Sequence, residues 1–123
     1  MEDFSRRYSV QKSDFSTDGF ITILYVDGVI VAADLNEKVE RYERLLREAL
    51  GKADISPIER SHMRKVAEDY KNMSRSYYED GMHFIRSKDP VNALICFSYG
   101  HAWLDAGARL GVFDVDDDVL FTI

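Results

Sequence analysis

The sequence predicts a mainly α protein: an antiparallel up-down three-helix bundle with a long central helix, preceded by a short N-terminal β-hairpin. Three observations carry this. Apolar residues recur at helical spacing in three stretches after residue 33, a capping signal opens each stretch, and the links between them are too short for anything but antiparallel neighbours. The chain divides into residues 1–33, an extension with the hairpin; 34–113, the helices; and 114–123, an acidic tail ending in a strand-like segment. A length of 123 residues suits one core and leaves no room for a second catalytic domain.

The elements follow in order. Residues 1–19 are polar. Phe20 to Val26 is a β-rich run, Asp27-Gly28 is the preferred pair for a two-residue turn, and Val29 to Ala33 is a second apolar run. An isolated hairpin is marginal in water, so this one is expected to dock on the helices, pair with Val119-Leu120-Phe121-Thr122-Ile123, or pair with another chain. Asp34-Leu35-Asn36-Glu37 has the form of a capping box, after which Leu35, Val39, Tyr42, Leu46, Ala49 and Leu50 mark the buried face of a first helix ending near Gly51. Ser56-Pro57-Ile58-Glu59 opens a second helix, in which Met63, Val66, Tyr70, Met73, Tyr77, Gly81 and Phe84 follow at steps of three and four to about Ser87. That helix is roughly 45 Å long at 1.5 Å per residue. Asp89-Pro90 repeats the cap-then-proline signal, and the third helix runs to about Leu110, closed by Gly111 in a left-handed conformation.

The third helix has more apolar surface than two neighbours can cover. Ala93, Phe97, Gly100, Leu104 and Gly107 share one face, while Val91, Leu94, Ile95, Ala102, Trp103, Ala106 and Leu110 spread around most of the rest. Only Ser98, His101, Asp105 and Arg109 form a polar stripe. Gly100 and Gly107 each cost about 1 kcal/mol relative to Ala inside a helix, which points to close approach of a backbone or a ring there. The expected cover is the N-terminal hairpin or a second copy of the chain. The expected interaction surface is Val91, Ile95, Gly100, Ala102, Ala106 and Gly107.

Charge excludes some functions. Five acids balance five bases from Asp34 to Lys52, seven bases face five acids from Pro57 to Lys88, and six acids face Arg109 alone from Asp89 to Ile123. Arg60, Arg64, Lys65, Lys71 and Arg75 are interleaved with Glu68 and Asp69 as on a solvated helix, which argues against nucleic-acid binding. Cys96, flanked by Ile95 and Phe97, reads as a buried small hydrophobe in a reducing compartment. No apolar run approaches the roughly 20 residues of a membrane span, and the start MEDFSRRYSV lacks an apolar signal core, so a cytoplasmic protein without membrane contact is expected. Asp114 to Asp118 lacks the glycine and terminal glutamate of an EF-hand loop and reads as a solvated acidic linker.

The pattern Tyr78, Gly81, Phe84, Asp89, Ala93, Phe97, Tyr99-Gly100, Trp103-Leu104-Asp105-Ala106-Gly107 and Leu110-Gly111 resembles the archaeal domain of unknown function numbered 357. The resemblance covers roughly residues 34–113, and YGHAWLDAG is its most specific part. It implies a small cytosolic three-helix protein with no catalytic residues to carry over. It also implies a link to the C-terminal side of nucleotidyltransferase-like proteins; with no nucleotidyltransferase signature in this chain, that role would be an accessory one. The N-terminal hairpin departs from the compact family pattern.

Two neighbouring folds fit less well. Helical nucleotide-binding domains with nuclease activity use an Arg followed by four to six residues and a His, a spacing absent here. Tyr77 to Ala106 resembles one tetratricopeptide hairpin, but no second copy is visible.

The candidate ligand site is Tyr99, His101, Trp103, Asp105 and Arg109. His101 and Asp105 lie one turn apart, as a base held by a carboxylate would, and Arg109 follows one turn on. Tyr99 and Trp103 are spaced to stack on a base or nucleotide ring, as they are to fill a core. A metal site would need His62 or His83 beside His101 without any supporting ligand spacing, so neither a metal nor another cofactor is expected. The sequence thus favours a non-enzymatic interaction or assembly module, a homodimer or a subunit of a larger complex. The alternative is a protein that binds a small nucleotide or phosphorylated ligand.

Overall fold

The structure, a computed structural model, describes residues 24–26, 29–56 and 62–122. Among the described residues the protein is mainly helical, with three helices and short antiparallel strand pairs. In chain order these are β1 (Leu24–Val26), β2 (Val29–Val31), α1 (Leu35–Lys52), β3 (Asp54–Ile55), α2 (His62–Arg86), α3 (Pro90–Leu110) and β4 (Phe113–Asp114).

β1 and β2 pair antiparallel with Val26 opposite Val29, as a two-residue connection requires. The expected Asp27-Gly28 turn and the second-helix start at Pro57 to Glu59 lie outside the described residues. β3 and β4 form a second pair that the sequence did not announce, with Ile55 opposite Phe113. The strand expected at the C-terminus is corrected: Val119 to Phe121 forms turns, and neither β1 nor β2 pairs with it. The reason is Asp117, whose Oδ1 accepts from the N–H groups of Val119 and Leu120 at 3.0 and 3.1 Å, while its carbonyl accepts from Phe121 N–H. An aspartate that satisfies the next backbone donors curls the chain into a turn and removes the ladder a strand would need.

Helix ends are set by local chemistry. Asp34 caps α1 by accepting from Glu37 N–H at 2.9 Å, and Asp89 caps α3 by accepting from Asn92 N–H at 3.1 Å with Pro90 next in line. Gly111 closes α3 at φ 81°, with its own N–H on Ala108 and that of Val112 on Gly107. The end of α2 has the same double bond, Lys88 N–H to Ile85 and Asp89 N–H to Phe84, but Lys88 rather than glycine takes the left-handed position at φ 59°. A left-handed cap followed at once by an N-cap turns the chain sharply, which is why α2 and α3 lie against each other.

The core forms around α3. Ala93, Phe97 and Leu104 are wholly buried, joined by Leu45, Leu46 and Ala49 of α1 and Ala67 of α2. The most buried residues of α2 are Ala67, Ser74 and Gly81, one every seven residues. The large residues expected there, Met63, Tyr70, Tyr77 and Phe84 among them, sit half-buried on the flanks. Small residues on the contact line let the helices approach closely. Gly81 receives the ring of Phe97, and at Gly100 a methyl group would come within 3.0 Å of Tyr77 Cβ, 3.1 Å of Leu46 and 3.2 Å of the Ser74 carbonyl.

After Gly111 the chain folds back over the end of this core. Val112, Phe113, Leu120 and Phe121 are all buried, and Ser56 holds the crossing through its N–H to Val112 and its hydroxyl to the Gly111 carbonyl. Lys52 at the end of α1 meets Asp117 at 2.8 Å. The acidic stretch is therefore anchored at one aspartate, while Asp114, Asp116 and Asp118 stay exposed.

Candidate functional site

The residues singled out by sequence all sit on α3, and the structure sorts them into three groups. The first is polar and turned inward. His101 is buried, and its Nε2 is 2.5 Å from the Leu120 carbonyl and 3.8 Å from Asp105 Oδ1. Asp105 accepts from Thr122 twice, from the backbone N–H at 2.9 Å and from the hydroxyl at 3.1 Å. Burial, the largest influence, pulls the His101 imidazole below its ordinary range, opposed by the Leu120 carbonyl and the Asp105 charge. Both side chains hold the C-terminal segment against α3. Ser98 and Arg109, at the two ends of the stripe, are exposed.

The second group is aromatic. Tyr99 meets Tyr77 edge to face at 4.7 Å between centroids, and Trp103 meets Tyr70 in the same way at 5.1 Å. The two rings also contact each other at 6.4 Å. Trp103 is half-buried in this chain of rings, whereas Tyr99 keeps 51% of its surface in solvent. The rings are thus edge-on to one another along the α2–α3 seam, not stacked as the two walls of a slot for a flat ligand.

The third group is the expected interaction surface, and it divides. Gly100 and Gly107 are buried and do not belong to it. Gly107 lies under the ring of Phe113, so the ring expected there comes from the chain's own β4, not from the N-terminal hairpin or a second copy. Small size alone did not reveal the side on which each glycine lies. Val91 and Ile95 are 54% and 58% exposed, and Ala102 and Ala106 are exposed beside them. With Tyr99 and Leu110 they make an apolar strip along the outer side of α3, and Leu94, Ile95, Ser98, Tyr99 and Ala102 line a shallow groove in it.

One further concavity escaped the sequence reading. An open cleft of about 760 Å³ lies between α1 and the α2–α3 corner, lined by Val39, Glu40, Glu43, Arg47, Met82 and Ile85 among others. Glu43 accepts a hydrogen bond from the Tyr78 hydroxyl at 2.7 Å and lies 3.7 Å from Arg47. No serine, cysteine or histidine is among its described lining, and no alternation of residue types in the sequence could have signalled a cleft formed by three separate segments. Cys96 is a free, buried thiol, and burial raises its pKa, which makes it a poor nucleophile. Among the described residues no three His, Cys, Asp or Glu side chains gather to hold a metal ion, and His62 and His83 are exposed on α2. Among the described residues, too, no helix is long and apolar enough to cross a membrane.

Residues 41–113 match the family described as "Protein of unknown function (DUF357)". Neither the curated proteins nor the solved structures give a match.

Proposed function

We propose, for this chain that belongs to the family of unknown function numbered 357, a role as a non-enzymatic protein-protein interaction or assembly module whose contact surface is the outer side of α3. One observation carries the reading: Val91, Ile95, Tyr99 and Leu110 each leave about half or more of their surface in water on the helix that forms the centre of the core. Four large apolar residues in one strip, with two exposed alanines between them, are the kind of patch that a partner covers. The helices are read as an antiparallel up-down bundle in which α3 is shared by both neighbours and keeps its third side for the partner.

The rival reading, a nucleotide or phosphorylated-ligand site on the polar stripe, draws little from the geometry. His101 and Asp105 are committed to Leu120 and Thr122, and Arg109 is left without them. The test is affinity purification of the tagged full chain from its native cells beside an Ile95→Asp/Ala102→Asp variant. A stoichiometric protein, a second copy or another chain, held by the wild type and lost from the variant is expected. A small molecule retained equally by both, with no protein at stoichiometric level, would overturn the reading.

A further inference from the structure

We propose that the open cleft between α1 and the α2–α3 corner is the seat of the chain's own N-terminal run Gly19-Phe20-Ile21-Thr22-Ile23, with the Phe20 ring between Val39 and Ile85. The run lies outside the described residues and leads directly into β1. The cleft, of about 760 Å³, opens at the end of the molecule where that run arrives: its lining begins at Asn36, the second residue of α1, and closes at Lys88 and Pro90 of the corner. Val39, Met82, Ile85 and Pro90 are its apolar residues, and Ile85 keeps 38% of its surface in solvent. The charged lining is Glu40, Glu43, Arg47 and Lys88, two of each sign, with Glu43 already held by Tyr78 and Arg47. Balanced charge gives no net field to draw a charged ligand, so the cleft suits an uncharged, apolar occupant. It shares no lining residue with the groove on the outer side of α3, and the proposal is independent of the interaction role above.

Backbone register brings Phe20 to this place. Leu24 pairs with Val31 and Val26 with Val29. Each step back from β1 is matched by a step forward from β2, so the same ladder continued sets Ile23 against Ala32, Thr22 against Ala33 and Phe20 against Leu35, the first residue of α1. Asp34, just before the helix, is extended at φ −80° and ψ 122°, the conformation such a ladder needs. Cross-strand partners share a face, which puts Phe20 beside Leu35 and one helical turn from Val39. The chain is uncharged from Gly19 to Val26, whereas acids and bases recur through residues 1–18. An isolated hairpin needs a floor, and the C-terminal segment does not supply one, because Val119 to Phe121 forms turns. Between the chain's own helices and those of a second copy, the tether decides. Only Ala32, Ala33 and Asp34 separate β2 from α1. A link this short holds the run at an effective concentration on the order of millimolar, which favours its own cleft over a second copy's.

Two measurements on the full-length chain, in a Cys96→Ala background, test this. Phe20→Cys/Ile85→Cys is expected to oxidise to an intrachain disulfide, because the proposed seat brings the two β-carbons within the bond's reach of about 4 Å. Phe20→Cys/Ile95→Cys is expected to stay reduced, since Ile95 lies on the outer side of α3. The second measurement is the rate of maleimide labelling. Ile85→Cys is expected to react about tenfold more slowly than Phe20→Asp/Ile85→Cys, with equal helix content by circular dichroism. Phe20→Ala gives the same comparison through a milder change. A disulfide to position 95 in place of 85 would put the run on the outer side of α3 and overturn the assignment. Covalent dimers from Phe20→Cys/Ile85→Cys would overturn docking within one chain. Equal labelling rates with and without the Phe20 ring would overturn the seat whatever the disulfides show, because a short tether alone lets two thiols meet.

Discussion

The two sides of α3 are both rich in small and apolar residues, yet the chain treats them in opposite ways. On the inner side, Gly100 and Gly107 admit Tyr77, Leu46 and the ring of Phe113, and every gap is filled from within the same chain. On the outer side, Ala102 and Ala106 lie exposed between Ile95 and Tyr99, with solvent where a neighbour would pack. The difference teaches that a small residue in a helix marks a close approach only where something on the same chain is bulky enough to use it. Where nothing is, the same residue type leaves a shallow strip open to another molecule.

The contrast implies that substitutions on the inner side act on stability and those on the outer side act on association. The largest effect is expected from Phe121→Ala, which empties a wholly buried ring site under the C-terminal segment and should cost about 3–5 kcal/mol in denaturant unfolding. A loss below 1 kcal/mol would mean that the segment is an accessory, not part of the core. Gly100→Leu comes next, because the added side chain meets Tyr77, Leu46 and the Ser74 carbonyl, and about 1–3 kcal/mol of overpacking should appear as a lower melting temperature.

The third prediction concerns pH. Burial holds the folded His101 pKa below its ordinary value of 6.5, so the unfolded chain binds the proton first as pH falls. Stability should be full above that value and decline as pH drops below it. His101→Gln, which keeps an amide to donate to Leu120, should flatten the decline in melting temperature. A second loss belongs below 3.8, where protonation removes the bonds that hold the Asp117 carboxyl under its ordinary value, the Lys52 ammonium first among them. Lys88→Gly should then raise stability by about 1 kcal/mol, because it relieves a side chain held in the left-handed region without removing a buried contact. Smallest of all, Ile95→Asp should leave the unfolding free energy of the isolated chain within about 0.5 kcal/mol, as surface substitutions do.

Much of the fold was legible because its signals are local. The caps at Asp34 and Asp89, the glycine closure at Gly111 and the extents of α1 and α3 depend on residues within one turn of each other. The long-range partners were not legible. Val119 to Phe121 has strand composition, and nothing in its own pattern says that Asp117 will take its backbone donors and turn Leu120 and Phe121 into the core. Periodicity found the right side of α2 and named Gly81 on it, but otherwise favoured large residues, whereas close packing buried Ala67 and Ser74.

The candidate site divides along the same line. His101 and Asp105 were placed as neighbours one turn apart, which they are, but their partners Leu120 and Thr122 are 19 and 17 residues away in sequence. Spacing along one helix carries no information about such a partner. The exposed part of the expected surface, Val91, Ile95, Ala102 and Ala106, emerged from the excess of apolar residues around α3. Gly100 and Gly107 share the opposite face with Ala93, Phe97 and Leu104, as the helical projection places them, and the arrangement of α1, α2 and β4 makes that face the buried one.

The most direct test of the central claim sets two readings of Ile95→Asp side by side: mass by sedimentation and thermal unfolding at a concentration low enough to keep the wild type monomeric. The variant is expected to lose association and to melt with the dilute wild type. A variant that melts well below the dilute wild type, with no change in mass, would show that the outer side of α3 is covered by the chain itself and would contradict the account.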